Sequence, residues 1–176
     1  MTTKQKIQRA GLLVCWLFLS QTTVLWAEAI EPDMPYAAIY RWVAAEMGVE
    51  PIWPMPVIHE VDHSTLETCF KTVNHRVYPL LSAKYGVSQA QAILARYMNE
   101  LAGLYDPRTK TIYIGRFLNP CRRQAVLAHE ICHFFQFQSE NRASGHAVSS
   151  QMEQLTRELA AQRIEKHYMD RHCSEK

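Results

Sequence analysis

Glycine and proline are scarce, at six and eight in 176 residues, which excludes a fibrous or low-complexity chain. There is no internal repeat, and no apolar run long enough to make an unambiguous transmembrane helix. An excess of charge of one sign is nearly absent as well, with 19 basic residues against 17 acidic ones. What remains is an ordinary globular balance, 48% hydrophobic and 20% charged, in a length suited to one domain with one core.

The small basic excess lies at the start of the chain. Lys4, Lys6 and Arg9 precede an apolar run from Gly11 to Leu19, a polar break at 20–23, and the small-residue site Ala27-Glu28-Ala29. Basic, apolar and small residues in that order make a secretory signal peptide over residues 1–29, leaving a single mature domain at 30–176. The alternative is an uncleaved anchor with the polar break buried. Cleavage removes three basic residues and one acidic residue, so the mature chain carries sixteen of each. Nothing then recommends nucleic acid or an anionic membrane surface as a partner, and the expected location is secreted or periplasmic. Cys69, Cys121, Cys132 and Cys173 remain, enough for two disulfides with three possible pairings, or for fewer if Cys132 is a buried thiol.

Periodicity places helices at 36–47, 64–73 and 88–102, a strand near 57–61, and another at 111–114 after an Asp106-Pro107 turn. Tyr105 and Tyr113 flank that turn as in a hairpin. Asn119-Pro120 is the strongest helix start in the chain, and the spacing predicts a helix over 120–138 followed by a polar loop. A last helix, 147–168, is expected to bury Val148, Met152, Leu155 and Leu159. The fold expected is α+β: a small, mostly antiparallel sheet packed on the 120–138 helix and closed by the C-terminal helix.

The chemistry concentrates in His129-Glu130-Ile131-Cys132-His133. Histidines four apart on a helix share one face, so both imidazoles reach one cation. Glu130 lies about 100° around the helix, beside that cation without being forced to bind it, where a general base takes a proton from water. Zinc (Zn2+) suits such a site and needs a third protein ligand plus an open position. Ser139 stands six residues after His133, where a metzincin would have histidine. The acidic candidates are Glu153, Glu158 and Glu165. Glu158, at the margin of the expected apolar stripe, is favoured over Glu153, which lies 20 residues after His133 but on the expected solvent face. His146, Tyr105 and Tyr113 are candidate oxyanion donors, for which bland surface or packing roles compete.

His129-Glu130-x-x-His133-x-x-Gln136, followed by Glu158-x-x-Ala161, resembles the gluzincin-type zincin metallopeptidases, in particular small bacterial zincin-like proteins. Leu104-Tyr105-Asp106, Thr111-Ile112-Tyr113-Ile114 and Trp42-Val43-Ala44 are similar to stretches of those proteins. The resemblance implies zinc, hydrolysis of a peptide or protein substrate, and a substrate lying along an edge strand at residues 111–114. It departs from the usual pattern at Leu159-Ala160, where a Glu-Ala pair is expected. A second expectation from the same residues is a zinc-binding structural or binding module without turnover. A third is a metal-free, disulfide-stabilised protein acting through a partner.

Overall fold

The computed structural model describes residues 36–143 and 151–173. The segment 1–29 expected to be a signal peptide, His146 and Val148 lie outside the described residues. The element order is α1 (Ala37–Met47), β1 (Val57–Val61), α2 (His63–Val73), α3 (Val77–Tyr85), α4 (Val87–Glu100), β2 (Gly103–Asp106), β3 (Thr111–Gly115), α5 (Pro120–Ala143) and α6 (Gln151–His172). The fold is α+β, as expected.

Local chemistry sets the boundaries. α1 stops at Gly48, whose φ of 65° suits a residue without Cβ. There Gly48 N–H donates to Ala45 O and Val49 N–H to Ala44 O, closing the helix in a Schellman motif. Asp62 starts α2 by accepting from Thr65 N–H at 2.8 Å. Asn119 starts α5 in the same way, its Oδ1 accepting from Arg122 N–H at 2.8 Å. In the β2–β3 turn, Asp106 accepts from the Arg108 N–H at 3.0 Å, an Asx-type bond that bends the chain after Pro107.

The sheet order is β1-β3-β2, with β3 in the centre. β2 pairs antiparallel to β3 as the hairpin requires, while β1 pairs parallel to β3, so the sheet is mixed. This corrects the placement of the edge. Residues 111–114 have neighbours on both sides, and the edge strands are β1 and β2, the second of which forms the hairpin with β3.

Alternation along the strands separates two cores. Tyr105, Ile112 and Ile114 join the main core with α1, α5 and α6. Leu104 and Tyr113 face the other way, onto Leu66 and Phe70 of α2 and Met98 of α4. Helices therefore cover both faces of the sheet. α3, which no clear periodicity announces, packs on α4 and buries none of its own residues.

α5 is longer than the spacing predicts and runs through the expected loop to Ala143. It is also buried nearly all round: Ala125, Val126, Leu127, Ala128, Ile131, Cys132, Phe134 and Phe135 are all core. A helix covered by a sheet, α1 and α6 has no broad solvent face, which the single-stripe expectation did not capture. α6 is rotated relative to expectation. Ala161 and Tyr168 are buried, whereas Met152, Leu155 and Leu159 are 70%, 53% and 46% exposed. The face turned to α5 is set by Ala161, Ile164, Glu165 and Tyr168, not by the leucines.

Cys121 and Cys173 form a disulfide across a sequence separation of 52, tying the start of α5 to the end of α6. Cys69 and Cys132 are free thiols, the second buried as one of the sequence alternatives allowed. Among the described residues no helix is long and apolar enough to cross a membrane.

Candidate metal centre

α5 and α6 form the largest helix–helix contact of the fold, and the titratable cluster lies in it. His129 and His133 meet edge to face one turn apart on α5, with ring centroids at 4.8 Å and Nε2 atoms at 3.1 Å. Two imidazole nitrogens that close must share a proton or a cation. Glu158 reaches across from α6, with Oε1 at 3.4 Å from His133 Nε2 and Oε2 at 3.7 Å from His129 Nε2. One donor atom from each of the three lies within 4.8 Å of the others. Two imidazoles and one carboxylate on a common point can hold a metal ion, and this mixed nitrogen–oxygen set suits a cation of zinc's character. Glu153, the rival on the same helix, is exposed and is not among the converging donors.

The remaining ring nitrogens are held from behind. His129 Nδ1 lies 2.9 Å from Glu165 Oε2, an ion-pair contact. The other oxygen of Glu165 is paired with Arg122. His133 Nδ1 lies 2.9 Å from Gln136 Oε1, and Gln136 Nε2 donates to the Arg157 carbonyl on α6 at 3.1 Å. Partners on Nδ1 fix the tautomer and direct Nε2 towards the shared point. Sequence reasoning weighed Glu165 only as a possible ligand and saw Gln136 only within a motif. The signal for Glu165 was available: it follows Glu158 by seven residues, two turns along the same face.

Charges in the cluster are mutually dependent. Burial disfavours the His129 cation, but bonding to Glu158 and Glu165 outweighs it and lifts its pKa to about 10. His133 is raised by the same balance of burial against Glu158 and Glu130. Hydrogen bonding to both histidines, against some burial, holds Glu158 far below the ordinary carboxylate range. Glu165 is lowered by its contact with His129, against burial and with help from Arg122.

Glu130 differs from the other two carboxylates. It is 7% exposed, and burial raises its pKa against the pull of His133 and His129. The Tyr105 N–H of β2 lies near its carboxylate and pulls the pKa back down. The structure thus brings Glu130 beside the His129–His133–Glu158 group without joining it.

These side chains open onto a cleft of about 250 Å3. Its walls include Tyr97 and Glu100 of α4, Gly103 of β2, His129 and Glu130 of α5, and Glu158 of α6. The tyrosine on the cleft is Tyr97. Tyr105 is packed edge-on against Phe134, and Tyr113 is stacked with His59 on the far side of the sheet.

Residues 89–168 match the family model of the IrrE N-terminal-like domain. Over these residues the chain is similar to a zincin-like metallopeptidase-family domain. The matched segment contains the whole cluster, from Tyr97 and Gly103 to Glu165, while α1, β1, α2 and α3 precede it. No curated protein and no solved structure matches the chain.

Proposed function

We propose that the protein is an exported zinc metallopeptidase that hydrolyses peptide or amide bonds in a peptide or protein substrate. The observation that carries this reading is the convergence of His129, His133 and Glu158 donor atoms within 4.8 Å, with the buried Glu130 beside them. Bound zinc supplies a Lewis acid that polarises the scissile carbonyl and makes water acidic enough to lose a proton near neutrality. His129, His133 and Glu158 hold the ion. Glu130 accepts the proton from water and returns it to the leaving amine, a task suited to a carboxyl whose pKa burial has raised. The substrate backbone lies along residues 101–103, which line the cleft and lead into β2. Export is supported by the basic, apolar and small-residue order of residues 1–29, and an oxidising compartment by the Cys121–Cys173 bridge.

The test is zinc content and turnover together. Purified mature wild type should carry one zinc per chain, His133→Ala and Glu158→Ala should lose it, and Glu153→Gln should keep it. Glu130→Gln should keep zinc and lose cleavage of a broad peptide library. A second reading, zinc as a staple between α5 and α6 without turnover, draws support from the cleft size, since about 250 Å3 is below the usual range for ligand pockets. Equal inertness of zinc-loaded wild type and Glu130→Gln would select it.

A further inference from the structure

Gly103 sits where β2 passes over α5, and the contact there leaves no room for a side chain. A Cβ built on Gly103 falls 2.6 Å from Val126 Cγ1, 3.0 Å from Glu130 Oε1 and 3.1 Å from Glu130 Cγ. Ordinary non-bonded carbon separations begin near 3.5 Å, so a methyl group at this position must displace something. Gly103 does not have a positive φ, and it pairs with Ile114 in a regular ladder. Its backbone is therefore acceptable to alanine, and only the space on the α5 side forbids it.

The same strand holds Glu130 by a second contact. Gly115 N–H donates to Ala102 O across the β2–β3 pair. Alternation from that bond turns the Tyr105 N–H away from β3, towards the outer edge of β2, on the side of the Glu130 carboxylate, whose charge it favours. The Tyr105 ring, on the same face of β2 as Gly103, packs against Phe134 one turn along α5 from Glu130. β2 and α5 are thus locked in register on both sides of Glu130.

We infer that Gly103 is a positioning residue for Glu130: its missing Cβ lets β2 seat on α5 so that the Glu130 carboxylate meets the Tyr105 amide and faces the cleft. Gly103 touches neither His129, His133 nor Glu158 among its nearest contacts. A substitution there shifts Glu130 and leaves the metal ligands in place. The catalytic consequence rests on the proposed hydrolase, but the geometric one does not.

The experiment follows Gly103→Ala, Val126→Ala and the double variant by amide hydrogen exchange and zinc content, with turnover measured on the peptide library. In zinc-loaded Gly103→Ala, the Tyr105 amide should exchange at least about tenfold faster, the loss of one hydrogen bond to a charged group, while other β2–β3 amides keep their protection. Zinc should stay at one per chain. Turnover should fall about 100-fold with KM little changed, the scale expected when a reacting group moves by about 1 Å. Val126→Ala removes the closest clash, so the double variant should recover both the Tyr105 protection and part of kcat. A Tyr105 amide as protected as in wild type overturns the inference, as does uniform loss of protection through β2 and β3, which marks general loosening. Should Gly103→Ala fail to fold, the double variant compared with Val126→Ala gives the same reading. An inert wild type defeats the hydrolase, and the Tyr105 exchange still decides the role of Gly103.

Discussion

Glu165 lies behind His129, its Oε2 2.9 Å from Nδ1 and its other oxygen held by Arg122, so one carboxylate links the candidate metal site to the start of α5. Removing its charge should loosen the metal without removing a ligand. Glu165→Gln is expected to weaken zinc binding by about 10- to 100-fold, the usual range for losing a partner of a ligating histidine. Competition against a chelator of known affinity measures it. An unchanged affinity would reduce Glu165 to an ordinary partner of Arg122.

Zinc binding should depend steeply on pH. With the pKa of His129 lifted to about 10 in the metal-free protein, that ring carries a proton throughout the neutral range. A cation must displace it, so raising the pH favours the metal. The apparent dissociation constant should tighten by about tenfold per pH unit between roughly pH 6 and 9 for each proton displaced. Titration in buffers of different ionisation enthalpy counts the released protons directly. A constant affinity across that interval would mean that His129 is neutral before the metal arrives.

The Cys121–Cys173 bridge joins the two helices that share the metal ligands. Opening it, by Cys121→Ser with Cys173→Ser, should lower stability by up to about 4 kcal/mol, the loop-entropy scale for a separation of 52 residues. Because α6 carries both Glu158 and Glu165, zinc affinity should fall with it. Urea denaturation and chelator competition on the same variant test both parts, and a stability loss with wild-type zinc affinity would show that packing alone aligns α6.

Two substitutions on α6 probe which face is inward. Leu155→Ser should change stability by no more than about 0.5 kcal/mol, because the side chain is 53% exposed. Ala161→Leu should cost about 1–3 kcal/mol through overpacking, because Ala161 is fully buried. Thermal unfolding distinguishes them, and a reversed order would restore the leucine stripe to the interior.

That reversal shows where the sequence was misleading. Met152, Leu155 and Leu159 are large apolar residues at helical spacing in the first half of α6, yet the buried face is built on Ala161 with Ile164, Glu165 and Tyr168. Close approach of α5 and α6 favours a small residue at the contact, and a polar cluster needs carboxylates there, so hydrophobic size misreports the inward side. The donors that converge include Glu158 and not Glu153, while the stripe used to favour Glu158 faces outward. His129 and His133 were legible because an i, i+4 pair on a well-capped helix shares a face whatever surrounds it. The parallel pairing of β1 with β3 was not legible, since it depends on a connection spanning three helices and β2. Nor was the need for Gly103, which arises from Val126 and Glu130, more than 20 residues further along the chain.

The enclosure of α5 has a consequence for how this protein can diverge. A helix with neighbours on every side is constrained by shape alone, whether or not it carries a working site. A descendant that exchanged His129 and His133 for other side chains would keep Ala125, Ile131 and Phe134 for their fit. Loss of the metal would then leave an intact scaffold whose ancestry reads clearly and whose chemistry has gone.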